Sequence, residues 1–261
     1  MYDFDFEKPS SLDAAVALLG DEDAMALAGG QTLIPTMKQR LASPGKLVSL
    51  AGIAELSGIA RQGDALRIGA TTTHAEVASG AGDYPALAAL AAGIADPAVR
   101  NRGTLGGSVA NNDPSADYPA AVLGSGATIR TDRREIAADD FFQGMFETAL
   151  EDGEIITAID FPIPDAANYQ KFKQPASRFA LVGVFVAKFA DGAVRVAVTG
   201  ASQEGVHRWR DAETALSRDF RSDALMDLDV APLNMIEDIH GSRDYRAHLV
   251  KVLTRRAVEG C

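Results

Sequence analysis

The stretch at residues 94–108 constrains this chain more than any other, because its glycines and small polar side chains leave it little capacity to form a core. The pair Gly106-Gly107 predicts a loop whose main-chain N–H groups point into a concavity, which is how proteins hold phosphate without a lysine. A second glycine pair, Gly29-Gly30, stands upstream. Two such loops predict one diphosphate held between them. The candidate binding residues of the two loops are Ala28, Gly29, Gly30, Gln31, Thr32, Thr104, Leu105, Gly106, Gly107 and Ser108.

Each of these segments also has a simpler structural interpretation. A glycine pair after a strand is often only a tight turn, and Gly29-Gly30 lacks the third glycine of the dinucleotide motif G-x-G-x-x-G. Residues 104–108 also fit an omega-like surface loop. Polar neighbours, which are costly to bury without a partner, favour a binding role for the second segment. These neighbours are Asn101, Asn111, Asn112, Asp113 and Asp117.

Asp117 admits two interpretations, and the sequence favours neither. Its carboxylate either accepts a hydrogen bond from a ribose hydroxyl or orients the loop, or it caps the helix predicted near Tyr118. His74 is expected in the first turn of a helix, and Arg100 and Arg102 either meet a phosphate or lie on a solvated face. No nucleophile–base pair or pair of carboxylates stands out, which predicts a chain that holds a ligand whose own chemistry does the work.

The charge balance and the cysteine count limit the partners of the chain. A formal net charge of -11 argues against binding to nucleic acid or to an anionic membrane surface. A single cysteine, Cys261, excludes an intrachain disulfide and a cysteine-ligated iron–sulfur cluster within this chain. The histidines lack ligand spacing, so we expect no metal site. The sequence shows neither a basic leader nor an apolar run of bilayer length, so we expect a cytoplasmic protein without an integral membrane segment.

Strand and helix patterns alternate along the first half, which predicts an α+β protein. A strand over residues 23–28, the glycine turn, a helix over residues 32–41 and a strand over residues 47–50 form one unit, which directs a helix N-terminus at the bound group. The further predictions are a helix capped by Ser10 and ending at Leu19, a hairpin over residues 59–70, a capping box at Thr73, a helix over residues 84–92, a small apolar segment over residues 120–123, a hairpin around Asp132-Arg133 and a strand over residues 155–161.

A Pro-x-Pro motif at residues 162–164 ends the last of these strands and predicts a domain boundary, with domains at residues 1–163 and 164–261. Beyond it, residues 179–201 contain two long β-branched runs joined by Asp191-Gly192, which is a strong hairpin pattern. Two helices complete this part of the chain, over residues 209–218 and 244–258.

A set of short motifs runs in order along nearly the whole chain, at residues 28–33, 37–41, 68–71, 96–108, 117–120, 139–144, 154–162, 175–178, 181–183 and 245–256. Together they closely resemble the medium, FAD-binding subunit of aerobic carbon monoxide dehydrogenases. More broadly, they resemble the flavin subunit of the molybdenum hydroxylases, the xanthine dehydrogenase superfamily.

The resemblance implies a fold and a set of site residues. The fold is a vanillyl-alcohol-oxidase (PCMH)-type FAD-binding domain of two α+β subdomains, followed by a C-terminal domain with a three-stranded antiparallel sheet and helices. Residues 28–32 and 104–108 would hold the FAD pyrophosphate through backbone amides. Asp117 would contact FAD, and Ile94 and Ile155 would line it.

The resemblance also implies partners. The chain would be the flavoprotein subunit of a heterotrimeric molybdenum hydroxylase, itself able to dimerise, with a molybdopterin-binding large subunit and a small subunit that carries two [2Fe–2S] clusters. FAD would collect electrons and pass them to an external acceptor. One departure leaves that acceptor open: residues 179–183 lack the lysine that follows Ala-Ser-Arg in the xanthine dehydrogenase branch. The alternatives are a flavin-free assembly or scaffold subunit, which the intact glycines disfavour, and a stand-alone flavin oxidoreductase, for which no acid or base is found.

Overall fold

A small parallel sheet and two helices form the N-terminal subdomain of this structure, a computed structural model that describes residues 1–261. Its elements are β1 (Asp5–Glu7), α1 (Leu12–Leu19), β2 (Ala24–Leu27), α2 (Leu33–Lys38) and β3 (Lys46–Ser49). The strands lie in the order β1-β3-β2, and both neighbours pair with β3 in parallel. Ser11, rather than the predicted Ser10, caps α1, because its extended backbone lets the side chain accept the N–H of Ala14 at 3.3 Å.

A five-stranded antiparallel sheet organises the second subdomain, in the order β4-β5-β10-β6-β7. Its strands are β4 (Ile59–Gln62), β5 (Ala65–Gly69), β6 (Thr128–Thr131), β7 (Glu135–Ala137) and β10 (Ile156–Pro162), with a side hairpin of β8 (Phe142–Gly144) and β9 (Glu147–Thr148). Its helices are α3 (His74–Gly80), α4 (Pro85–Ala92), α5 (Pro97–Arg100), α6 (Leu105–Asn111), α7 (Tyr118–Ser125) and α8 (Ala138–Phe141). Both predicted hairpins and the capping box at Thr73 are present.

Helix α7 is an element of this subdomain that the sequence described only in part. Every residue from Tyr118 to Ser125 is buried, whereas the sequence predicted a helix near Tyr118 without bounds and an apolar segment over residues 120–123. A helix that is buried on all sides carries no apolar stripe with a period of 3.6 residues, so periodicity does not reveal it. Its burial against two sheets makes it the central element of the chain.

The C-terminal domain is a four-stranded antiparallel sheet covered by two helices. Its elements are β11 (Ala166–Lys173), β12 (Ala180–Lys188), β13 (Val194–Thr199), β14 (His207–Arg208), α9 (Arg210–Arg218) and α10 (Arg243–Glu259). The predicted three-stranded sheet was therefore incomplete, because β14 adds a fourth strand beside β13. Strand β14 has only two residues, which is too short to show any alternation of apolar and polar side chains. Strand β11 was also absent from the pattern-based predictions.

One hydrophobic core crosses the boundary between the two predicted domains. Phe185, Ala187 and Ala197 of β12 and β13 pack in the same cluster as Tyr84 and Val122 of the first domain. The opposite face of this sheet packs against α9 and α10. Strand β12 is thus covered on both faces, which explains its continuous apolar run. None of the ten α-helices combines the length and the apolar character that crossing a membrane would require.

Candidate functional site

A cavity of about 880 Å³ opens where the two subdomains and the C-terminal domain meet. Its volume lies within the roughly 300–1,000 Å³ that small-molecule and cofactor sites occupy. The walls come from both glycine segments, from β10 and its preceding residues, and from residues 176–179 of the C-terminal domain. Of the predicted site residues, those that line this cavity are Ala28, Gly29, Gly30, Gln31, Thr32, Ile94, Thr104, Gly106, Gly107, Ser108, Asp117 and Ile155.

Leu105 is the predicted site residue that does not line the cavity. Its side chain is fully buried in the hydrophobic core, and its N–H donates to the Thr72 carbonyl oxygen at 3.0 Å. It therefore anchors the second glycine segment from behind, while Thr104 and Gly106 face the cavity.

The first glycine segment connects β2 to α2 and presents open backbone donors. None of the N–H groups of residues 28–33 donates a hydrogen bond within the chain. Gly30 has φ +70°, the left-handed region that glycine occupies without penalty. Consecutive N–H groups without an internal acceptor form an anion-binding concavity, so this segment has the chemistry that a pyrophosphate requires.

The second glycine segment differs from its prediction, because it is helical. Thr104 caps α6, so Gly106 and Gly107 lie in the first turn of a helix and not in a loop. The N–H of Gly106 donates to the Ala70 carbonyl oxygen at 2.8 Å, and that of Gly107 donates to Thr104 Oγ1 at 3.2 Å. The predicted free N–H groups at Gly106-Gly107 are thus already paired.

Close backbone packing explains the glycines of the second segment. A Cβ at Gly106 would lie 2.5 Å from the Cβ of Ala70, and a Cβ at Gly103 would lie 2.5 Å from His74 Nε2. Both distances are far below van der Waals contact. Glycine is required here so that α6 and the residues before it can approach β5 and α3.

The two glycine segments touch, as the prediction of a shared ligand requires. A Cβ at Gly29 would lie 2.0 Å from the Arg102 carbonyl oxygen and 2.8 Å from the Cα of Gly103. The approach is looser at Gly107, where a Cβ would lie 3.8 Å from the Cβ of Ala28. The absence of a side chain at Gly29 therefore sets the separation of the two cavity walls.

Asp117 is a buried acidic residue of the cavity wall, and the structure decides what its carboxylate does. It occupies the N-cap position of α7, yet its side chain makes no capping hydrogen bond. Tyr169 donates its hydroxyl to Asp117 Oδ1 at 2.5 Å, and Lys171 donates from Nζ to Oδ2 at 2.9 Å. Burial raises the pKa of Asp117, while the Lys171 ammonium and the Tyr169 hydroxyl oppose that rise. Sequence reasoning missed both donors because it did not predict β11.

His74 lies in the cavity wall as the first residue of α3, in agreement with its predicted place in a helical first turn. Burial, with a smaller contribution from the positive charge of Arg100, lowers the pKa of His74 to about 4. The imidazole is therefore neutral at pH 7. Arg100 itself donates to the carbonyl oxygens of Ile94 and Ala95 at 2.8 and 2.9 Å, so it braces the loop before α5.

The cavity wall also contains Arg178, Ala95 and Glu154, which were not among the predicted site residues. Arg178 and Ala95 both have positive φ, 63° and 41°, and Arg178 Nη1 donates to the Ala95 carbonyl oxygen at 3.1 Å. This hydrogen bond joins the C-terminal domain to the first domain beside the cavity. Glu154 is also in the wall, where the hydrogen bond from Arg134 lowers its pKa to about 2.

Comparison with known proteins identifies the family of the chain. Residues 2–164 match the family described as the FAD binding domain in molybdopterin dehydrogenase. The chain belongs to this family. The open N–H groups of residues 28–33 and the close approach at Gly29 both lie within the matched region, as does most of the cavity wall.

Relatives extend the match to the C-terminal domain. The medium subunit of nicotine 6-hydroxylase from Paenarthrobacter nicotinovorans is 36% identical over 97% of this chain and 95% of its own length. The carbon monoxide dehydrogenase medium chain of Afipia carboxidovorans is 37% identical over 98% of this chain and 96% of its own. The chain is accordingly an FAD-binding oxidoreductase subunit of the molybdenum hydroxylase family.

A solved structure agrees with this assignment. The crystal structure of the Cu,Mo-CO dehydrogenase in its cyanide-inactivated form contains a chain that superposes with a TM-score of 0.91 at 35% identity, covering 98% of this chain and 96% of that one. The mixed helix and sheet fold of this family member is thus shared along almost its entire length.

Proposed function

We propose that this chain is the electron-transfer subunit of a heterotrimeric molybdenum hydroxylase. Its FAD would connect the [2Fe–2S] clusters of a small partner subunit to an external acceptor, and a molybdopterin-binding large subunit would oxidise the substrate. The observation that carries this proposal is the cavity, whose wall offers the open N–H groups of residues 28–33 and contains no arrangement of nucleophile and base. When bound, FAD supplies one- and two-electron redox chemistry, and the protein supplies placement and electrostatics.

The residues that hold FAD are proposed from the geometry of the two segments. The N–H groups of residues 28–33 would donate to the pyrophosphate, with Gly30 providing the required backbone turn. The opposite wall would be formed by residues 104 and 106–108 at the start of α6. The apolar contacts would come from Ile94 and Ile155, while Asp117 would accept a hydrogen bond from the cofactor.

We further assign residues 1–163 to the PCMH-type FAD-binding architecture and residues 164–261 to a C-terminal domain. Two separate sheets beside the cavity, one parallel and one antiparallel, support two subdomains within the first unit. The change of sheet between Pro162 and Ala166 supports the boundary. We also place the assembly in the cytoplasm, and we propose no nucleic acid among its partners because the net charge is -11.

The substrate is expected to be determined by the large subunit. One relative is named for nicotine and the other for carbon monoxide, although this chain is 36% identical to the first and 37% to the second. Near-equal similarity to flavoprotein subunits of such different enzymes supports a division of labour in which this polypeptide does not select the substrate.

FAD binding is tested by isolating the chain and precipitating it with acid. We expect a yellow protein that releases all its flavin into the supernatant. A colourless protein that takes up no FAD would contradict the proposal, and flavin retained in the precipitate would indicate a covalent link.

Subunit function is tested by reconstitution. The chain with FAD alone should accept electrons from an artificial reductant but should not turn over a hydroxylase substrate. Turnover should appear only after the molybdenum and iron–sulfur subunits are added. Steady oxidation of a purine, an aldehyde or carbon monoxide by this polypeptide and FAD alone would defeat the proposal.

A further inference from the structure

Three side chains from both domains form a buried polar triad behind the cavity wall: Asp117, Tyr169 and Lys171. The side chains of Asp117 and Lys171 are 5% and 4% exposed. Tyr169 and Lys171 alternate with Gln170 along β11, so both side chains emerge on the same face of the strand, the one that meets Asp117. Only Asp117 of the three lines the cavity.

The carboxylate of Asp117 has acceptor capacity left over for a ligand. An ionised carboxylate offers about four acceptor positions. Tyr169 donates to Oδ1 and Lys171 Nζ lies 2.9 Å from both oxygens, which leaves at least one position open. The two donors fix the orientation of the group, and both favour its ionised form against burial. Lys171 also donates to the carbonyl oxygen of Gly93 at 3.2 Å, which anchors the ammonium at the end of α4.

A glycine on the next strand makes room for this arrangement. Gly183 of β12 pairs with Lys171 of β11, and a Cβ at Gly183 would lie 2.3 Å from the Tyr169 hydroxyl oxygen. It would also lie 2.9 Å from Cγ2 of Thr199, the residue that pairs with Gly183 on β13. The bare glycine is therefore what allows the Tyr169 hydroxyl to reach Asp117.

We propose that Tyr169 and Lys171 are positioning residues that preset the Asp117 carboxylate as a hydrogen-bond acceptor for a hydroxyl group of FAD. This inference rests on the proposed role of Asp117 in the FAD site. It adds two side chains of the C-terminal domain to that site, although neither of them lines the cavity. FAD affinity then depends on contacts that cross the domain boundary.

The test is a double-mutant cycle on the dissociation constant of FAD, measured by titrating the full, flavin-depleted chain. Asp117→Asn and Tyr169→Phe should each weaken FAD binding by roughly ten- to hundredfold, the value of a hydrogen bond to a charged group. If Tyr169 acts through Asp117, the double variant should bind FAD as weakly as Asp117→Asn alone. Lys171→Met should likewise weaken FAD binding in the wild-type chain and cause no further loss in the Asp117→Asn variant.

A matched control separates positioning from stability. Tyr84 is a buried tyrosine that, like Tyr169, packs against Phe185, and its hydroxyl lies 2.8 Å from Ser125 Oγ, away from the cavity. Tyr84→Phe should lower stability much as Tyr169→Phe does, yet leave the FAD dissociation constant unchanged. Tyr169→Phe should raise that dissociation constant.

Two results would overturn the positioning role while leaving FAD binding intact. The first is wild-type affinity in Tyr169→Phe. The second is an equal loss from Tyr169→Phe in the wild-type chain and in the Asp117→Asn variant, which would mean that the triad only joins the domains. A wild-type chain that binds no FAD would instead remove the proposed function and this inference with it.

Gly183→Ala supplies an independent check on the triad. It displaces the Tyr169 hydroxyl without deleting a polar group, because the new Cβ would occupy the space of that hydroxyl. FAD binding should weaken in the same direction as in Tyr169→Phe. Unchanged affinity in a folded Gly183→Ala variant would contradict the positioning role.

Discussion

The two glycine segments look alike in sequence but differ in what their glycines do. Residues 28–33 leave their backbone N–H groups unpaired, and Gly30 adopts a positive φ that permits the turn. In the second segment the N–H groups of residues 103 and 105–107 are paired within the chain, and its glycines allow close packing against Ala70 and His74. A glycine pair beside a cavity thus has two distinct physical uses, leaving N–H groups open for a ligand and permitting close packing of the wall.

The largest effect is expected where the two segments meet. In Gly29→Ala the new Cβ would lie 2.0 Å from the Arg102 carbonyl oxygen, so the two walls must separate. FAD affinity should fall by roughly a hundredfold or more, since the contacts of both walls depend on their spacing. The measurement is flavin content and the dissociation constant, with Gly82→Ala as the control because Gly82 is exposed and has open space around it. Equal affinity in both variants would show that the contact at Gly29 is unimportant.

The packing of the second segment also predicts a pH dependence of stability. The pKa of His74 is about 4 in the folded chain against 6.5 as its ordinary value, so the unfolded chain binds the proton more readily. Above pH 6.5 the imidazole is neutral in both states and the free energy of unfolding keeps its full value. As the pH falls from 6.5 to about 4, the free energy of unfolding decreases by about 3 kcal/mol in total. Urea unfolding of wild type and His74→Gln at several pH values checks this. Parallel pH profiles for the two proteins would contradict it.

Gly106→Ala should affect stability more than binding. Its Cβ would meet the Ala70 Cβ at 2.5 Å and the Ala70 backbone at 2.9 Å, which overpacks the contact between α6 and the end of β5. Overpacking of this kind costs about 2 kcal/mol. The free energy of unfolding should fall by that amount, while the folded fraction of the variant keeps measurable FAD affinity. Loss of FAD without loss of stability would place Gly106 with the first segment instead.

The smallest effect is expected from Gly30→Ala. Alanine at φ +70° costs about 1–2 kcal/mol, and the nearest side-chain atom, Ile34 Cγ1, would lie 3.0 Å from the new Cβ. Because the strain falls on the segment that donates to the ligand, FAD affinity should drop by about tenfold. Titration with FAD and urea unfolding together show whether the loss appears in binding. A variant with lower stability but wild-type FAD affinity would show that Gly30, like Gly106, affects stability rather than binding.

Local patterns sufficed for much of the fold and for the two glycine segments of the cavity wall. The turn at Asp191-Gly192, the capping box at Thr73 and the strand, turn and helix around Gly30 were all predictable, since each depends on neighbours within a few residues. By contrast, the extent of α7 and the whole of β11 and β14 escaped the pattern-based predictions. A helix buried on every side has no stripe, and a two-residue strand has no alternation.

The sequence by itself predicted two glycine segments around one ligand and determined that the chain resembles FAD-binding subunits, because these depend on short motifs in a fixed order. Only the tertiary structure decided which segment keeps its N–H groups open and which partners hold Asp117. Those partners, Tyr169 and Lys171, lie 52 and 54 residues further along the chain on β11, a strand that no periodic pattern in the sequence predicted. Backbone propensities act between near neighbours, whereas the choice between pairing a polar group internally and leaving it for a ligand is made by packing between distant elements.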